Sequence, residues 1–332
     1  SEVKGLVLDL RGNPGGLLNE SVSLCNLFID KNQEVVSTKG KIKDWEKSYK
    51  TMKDPLDKEL PLAVLINQSS ASASEIVSGT IQDLDRGVVL GKKSFGKGLV
   101  QQTRKLSYNS QLKVTVAKYY TPSGRCIQAL DYANKNEDGS VGKVADSLKT
   151  AFKTRNGRTV YDGGGVDPDI VIDQEAYAKI VGSLVSKQLI FDFATEFVLQ
   201  NDSIEAPGVF KISDALYEDF VMFLSDKEYE YETNTEKKMA ELIDKAEDEY
   251  IDFKEDLEVL QKKLLSYKED DIHKYQSQVS ELILSELMAR YYYQEGRVIA
   301  SLADDTVLKE AISVLHDSDR YEAILSGKID DK

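Results

Sequence analysis

Residues 5–10, GLVLDL, are apolar at nearly every position, as expected of a strand covered on both faces. RGNPGG follows, and Pro14 with its paired glycines ends any regular element there. In LLNESVSLCNLFID the spacing changes to three and four, placing Leu18, Val22, Cys25 and Ile29 on one face of a predicted helix. QEVVSTKG reads as a strand, and KIKDWEKSYKTMKDPLDKELP as an exposed polar loop or ribbon. LAVLINQ is another buried strand. After Ser72, helical spacing returns with Ile76, Val77, Thr80, Ile81 and Leu84, and GVVLG closes the run as a strand. Strand, helix and strand in alternation predict an α/β layer architecture.

GLVQQTRKLSYNSQLKVTVAKYYTPSG predicts two strands of a hairpin with SYNS at its turn. Residues 131–165, rich in Gly, Asn, Asp and Lys, form an excursion, and GGGVDPDIVID ends the first half with a turn and a strand. From about residue 175 the pattern is helical throughout, with charges of both signs between apolar positions three and four apart. Two domains are therefore expected, residues 1–174 as an α/β core and 175–332 as a separate all-helical domain. Three consecutive tyrosines in MARYYYQEGR face different sides of a helix, so at least one is exposed. Removing everything after about residue 180 is expected to alter association or solubility more than the geometry of the core.

At 332 residues, 41% apolar and 30% charged, the chain has the composition of a folded globular protein. No apolar run approaches the length of a membrane span. The formal charge of −14 is uneven: residues 1–174 carry a net +4 and residues 175–332 a net −18. An acidic second half argues against nucleic acid as a partner. Cys25 and Cys126 form neither a disulfide framework nor a metal-ligand pattern. The two histidines, His273 and His316, both fall in the acidic half, so a base in the first half has to be another residue type.

Ser72 and Lys97 are the candidates for chemistry. Ser72-Ala73-Ser74-Glu75 fits the S-x-x-E capping box, the ordinary reading of a serine at a helix start. The same position also adjoins unpaired backbone N–H groups at the positive end of the helix dipole. The Ala73 N–H is placed to stabilise an oxyanion, and the NPGG turn can bring a second donor if GLVLDL and LAVLINQ are neighbours in one parallel sheet. A lysine acts as a base only when uncharged, which calls for shielding from water. Phe95 and Leu99 flank Lys97 and offer that shielding. Were this stretch a strand, Lys97 and Gln101 would lie on one side, with Gln101 orienting the amine. Asp83 lies too far along the predicted helix from Ser72 to join them, at ~1.5 Å of rise per residue. It is expected to serve the helix C-terminus, against Arg86.

LDLRGNPGG, SASASEI, QDLDRGVVLG, SFGKGLVQ, YYTPSGRCIQ and GVDPDIVI, in this order, resemble the carboxyl-terminal processing, or tail-specific, serine proteases. The resemblance spans residues 1–174. It implies a crotonase/Clp-like core in which Ser72 is the nucleophile, Lys97 the general base and Gln101 its support. Gly16 and Ala73 would supply the oxyanion-hole N–H groups. It further implies protein substrates cut near a free C-terminus, no metal or cofactor, an extracytoplasmic location and an upstream PDZ module, which this chain does not show. A homodimer through the helical half is compatible with it. The alternative is a non-catalytic peptide-binding or scaffold protein on the same core.

Overall fold

The computed structural model describes residues 3–136, 138–173, 176–248, 254–268 and 270–328. The first unit opens with β1 (Leu6–Asp9), α1 (Leu18–Cys25), β2 (Glu34–Lys39), β3 (Lys47–Lys50), β4 (Leu62–Ile66), α2 (Ala73–Asp83) and β5 (Val88–Gly91). It continues through β6 (Leu99–Lys105), β7 (Gln111–Tyr120), β8 (Leu130–Lys135), β9 (Val141–Lys143), β10 (Ala151–Lys153), β11 (Thr159–Tyr161) and β12 (Ile170–Val171). β1, β4, β5 and β12 form a parallel sheet in that order, with Leu6 opposite Leu62, Ala63 opposite Val88 and Ile170 opposite Leu90. GLVLDL and LAVLINQ are thus neighbours in one parallel sheet.

Period-two alternation explains why LAVLI has no polar residue. Leu62, Val64 and Ile66 enter a core with Cys25, Val35, Ile76 and Ile81, while Ala63 and Leu65 enter a second core on the opposite face. Burial on both faces leaves no position for a charge. All eleven residues of α2 are buried, so this helix is enclosed rather than amphipathic. A second sheet, β3-β2-β7-β6, is antiparallel, and the excursion at 131–165 contains two hairpins, β8–β9 and β10–β11.

The remaining helices are α3 (Lys179–Ser186), α4 (Leu189–Gln200), α5 (Asp214–Phe223), α6 (Asn234–Asp248), α7 (Lys254–Lys268), α8 (Asp271–Lys274), α9 (Gln276–Leu302), α10 (Thr306–His316) and α11 (Ser318–Leu325). The expected second domain, 175–332, is divided among two compact units. Gln174–Asp305 form one, and the segment from Thr306 belongs with the residues up to Asp173. Val307, Ala311, Val314, Tyr321 and Ile324 cover the Ala63, Leu65, Val88 and Leu90 face of the parallel sheet. Tyr321 fixes the register: its hydroxyl accepts from the Leu62 N–H at 3.0 Å. The helical unit has its own core, built around Leu184, Phe193, Tyr217, Phe220 and Leu287. Tyr293, at φ 57° and ψ −155°, kinks α9 and is the exposed member of the tyrosine triplet. Tyr291 and Tyr292 donate to the carbonyls of Asn201 and Ile204.

Candidate active site

A parallel sheet delivers the loops after its strands to one edge. Here those loops are RGNPGG after β1, NQSSAS after β4 and GKKSFGKG after β5. The first two are tied together at several points. The Asn13 carbonyl accepts from the Ala71 N–H and from the Ser74 hydroxyl, both at 3.0 Å. Asn67 Oδ1 accepts from the Gly12 N–H at 3.0 Å, and the Ser70 hydroxyl donates to the Leu10 carbonyl at 2.8 Å. Gly15 is the tightest contact. At φ +93°, a Cβ there would lie 2.5 Å from the Ala71 oxygen and 2.7 Å from the Ala73 nitrogen, so no larger residue fits.

Ser72 precedes the first turn of α2 at φ 57° and ψ −114°. That conformation is unfavourable for any residue but glycine and costs ~1–3 kcal/mol, which the surrounding bonds must offset. Ser72 is half-buried. Ala73 is the first residue of α2, so its N–H has no helical acceptor. Among the described residues neither the Ala73 nor the Gly16 N–H donates a hydrogen bond. Beside them lies a small, largely apolar cavity of about 180 Å³, lined by Leu10, Gly16, Leu17, Ala73 and Val77 among others.

The expected capping box is present, but Glu75 does more than cap. Its side chain is fully buried and accepts four hydrogen bonds. Oε2 takes the Ser72 N–H at 2.9 Å and the Lys97 N–H at 2.8 Å. Oε1 takes the Ser94 hydroxyl at 2.6 Å and the Gly96 N–H at 2.7 Å. Legs of 2.9 and 2.8 Å from one oxygen hold the Ser72 and Lys97 nitrogens no more than 5.7 Å apart. Burial pushes the Glu75 carboxyl above its usual range, and the four donors oppose that rise. The Ser94 hydroxyl is itself fixed, because it also accepts from the Val166 N–H at 2.7 Å. Sequence reading saw only the cap. The further partners lie 19 to 22 residues on, and no local spacing announces them.

Two expectations about the lysine are corrected. Lys97 is exposed, not shielded, and among the described residues its Nζ has no hydrogen-bond or ion-pair partner. The chain there is not yet a strand: β6 begins at Leu99, and a bulge between Val100 and Gln101 shifts the register. The alternation argument joining Lys97 to Gln101 therefore does not hold. Gln101 is exposed and its amide nitrogen faces Thr115 Oγ1 at 3.4 Å. Asp83 also has a different partner from the one expected. It pairs with Arg125 at 2.8 Å, both side chains fully buried, while Arg86 donates to the carbonyls of Phe28 and Leu60.

A family model described as "Peptidase family S41" matches residues 1–133. Residues 1–133 are thus similar to peptidase family S41. A second model, "Probable PDZ-protease, C-terminal helical domain", matches residues 180–315. The chain is 47% identical over 129 residues to a carboxy-terminal-processing protease of Bartonella bacilliformis, covering 39% of this chain and 30% of that protein. It is 47% identical over 128 residues to a probable CtpA-like serine protease of Staphylococcus haemolyticus, covering 38% and 25%. The chain thus matches less than a third of the length of either relative. Among solved structures it is similar to the photosystem II D1 C-terminal processing protease at 31% identity and a TM-score of 0.38, over 51% of this chain and 35% of that one.

Proposed function

We propose that the S41-like core is a serine endopeptidase that cuts protein chains near their C-termini, with Ser72 as nucleophile and Lys97 as general base. The single Glu75 oxygen bonded to both backbones supports this reading most directly, because it keeps a flexible lysine stem within reach of the hydroxyl.

In the proposed reaction a peptide carbonyl lies against Ser72, its oxygen turned toward the N–H groups of Ala73 and Gly16. The side chain before the scissile bond enters the cavity lined by Leu10, Leu17 and Val77. As Ser72 Oγ attacks the carbonyl carbon, Lys97 Nζ takes the hydroxyl proton, and the two amides hold the tetrahedral oxyanion. Lys97 gives that proton to the leaving amine, and the C–N bond breaks to leave an acyl-serine. Water, activated by the same amine, hydrolyses the ester. A lysine serves as a base only when shielded from water, and Lys97 is exposed, so the bound peptide itself must cover it before the first step. Gln101 takes its orienting role from the resemblance alone. Protein substrates and an extracytoplasmic location follow from the family on the same footing.

Labelling with a biotinylated fluorophosphonate tests the assignment. The probe should attach to Ser72, and the Ser72→Ala and Lys97→Ala variants should remain unlabelled while unfolding at the parent's temperature. Labelling undiminished in Ser72→Ala, or located on another residue, overturns it.

A further inference from the structure

Beyond the cores, β6 and β7 run on as a two-stranded ribbon in which every residue from 101 to 115 is exposed. Register divides it into two faces. Arg104 opposite Leu112 and Gln102 opposite Val114 form one, and Thr103 opposite Lys113 and Lys105 opposite Gln111 form the other. Leu106 extends the first face, and Trp45 joins it from the loop after β2, with the Arg104 guanidinium 5.6 Å from its ring. Trp45 is 41% exposed, Leu106 53%, and Tyr108 at the hairpin tip 100%. Ile42 and Leu112 are exposed as well.

Charge surrounds these apolar groups. Residues 34–50 and 99–120 hold nine lysines and arginines against three acids, in a chain whose net charge is −14. All nine are exposed, and among the described residues none makes an ion pair. Lysines on an exposed edge strand would by themselves only discourage edge-to-edge pairing. They do not account for a tryptophan, a tyrosine and several aliphatic side chains left in water at the same place. An isolated two-stranded ribbon is also marginal in water and gains by being covered. Apolar and aromatic side chains on one face and at the tip, with unpaired cations on both faces, match the boundary between anionic headgroups and acyl chains.

We propose that the β6–β7 ribbon, with the loop carrying Ile42 and Trp45, seats this protein on an anionic phospholipid surface. The ribbon enters end-on: Leu106 and Tyr108 at its tip pass into the headgroup boundary, while Lys105 and Lys113, on the other face beside the tip, meet lipid phosphates. The proposal is independent of the peptidase reading.

Sedimentation of the full chain with vesicles tests it. Vesicles of phosphatidylcholine with about 30% phosphatidylglycerol should bind at least about tenfold more protein than phosphatidylcholine alone, and salt should reverse the binding. Because the whole chain is acidic, binding to an acidic surface has to come from a local patch. Leu106→Ser with Tyr108→Ser, and separately Lys105→Glu with Lys113→Glu, should each lower binding at least about tenfold without moving the thermal midpoint. No binding, equal binding to both vesicles, or variants that bind like the parent overturn the proposal. It also fails if the variants instead turn a dimer into a monomer in vesicle-free sedimentation, which would make a second copy the occupant.

Discussion

Glu75 shows how a residue can read as local punctuation and act across the fold. Its two oxygens receive only donors: three main-chain N–H groups and the Ser94 hydroxyl. In Glu75→Gln the amide nitrogen would face two of those donors with hydrogens of its own. The variant should lose about 1–3 kcal/mol in urea unfolding at neutral pH, the cost of buried groups left unsatisfied. Its kcat should fall further than KM rises, because the change loosens Ser72 against Lys97 rather than the substrate cleft. A pure loss of stability, with kcat intact in the folded fraction, would reduce Glu75 to a cap. Cys25 gives a prediction of a different kind. It is fully buried, and burial pushes its thiol from 9.0 up to about 12. The folded protein therefore keeps a proton that the unfolded chain loses above about pH 9. This thiol's contribution is whole below that pH and is lost as pH rises toward 12. With a disulfide reagent at pH 8, Cys126 should react first and Cys25 only on unfolding.

The element α2 is held at both ends by buried charge. Its start carries the Glu75 clasp, and its last residue, Asp83, pairs with Arg125, both side chains fully buried. Asp83 also accepts from the Ser123 N–H at 3.0 Å, while Arg125 donates to Gln82 Oε1 at 2.7 Å and, among the described residues, has no hydrogen-bond partner at Nε or Nη1. A guanidinium so incompletely bonded depends on its counter-charge. Asp83→Asn should thus cost about 3–5 kcal/mol, readable as a lowered urea midpoint with unchanged slope. Sequence reading placed both ends of this helix correctly and missed what they touch. The reason is distance along the chain. Arg86 stands three residues from Asp83 and Arg125 forty-two, and helical periodicity speaks only of the nearer one. The strands were easier. LAVLI and the SYNS hairpin carry their own signals, unbroken apolarity in one and left-handed Tyr108 and Asn109 in the other.

At the scale of the whole molecule, the chain returns to its beginning. Helical periodicity made residues 175–332 look like a single domain, because an apolar stripe reads the same whichever core receives it. The structure sends α10 and α11 back to roof the face of β4 and β5 that α2 does not cover. That gives the expected change in association or solubility on truncation a physical cause. Ending the chain at Asp305 would uncover Ala63, Leu65, Val88 and Leu90, all with no exposed surface in the intact protein. Such a contiguous apolar face drives association, so the truncated protein should aggregate rather than survive as a core with altered assembly. A point variant separates this from trivial misfolding. Ile324 is 3% exposed, and it lies beyond both family matches. Ile324→Ala in the full chain should cost about 2–5 kcal/mol in the unfolding of the unit built on the parallel sheet. If α11 were a loose appendage, the same variant would leave the urea midpoint of that unit unmoved, and the Asp305 truncation would stay soluble.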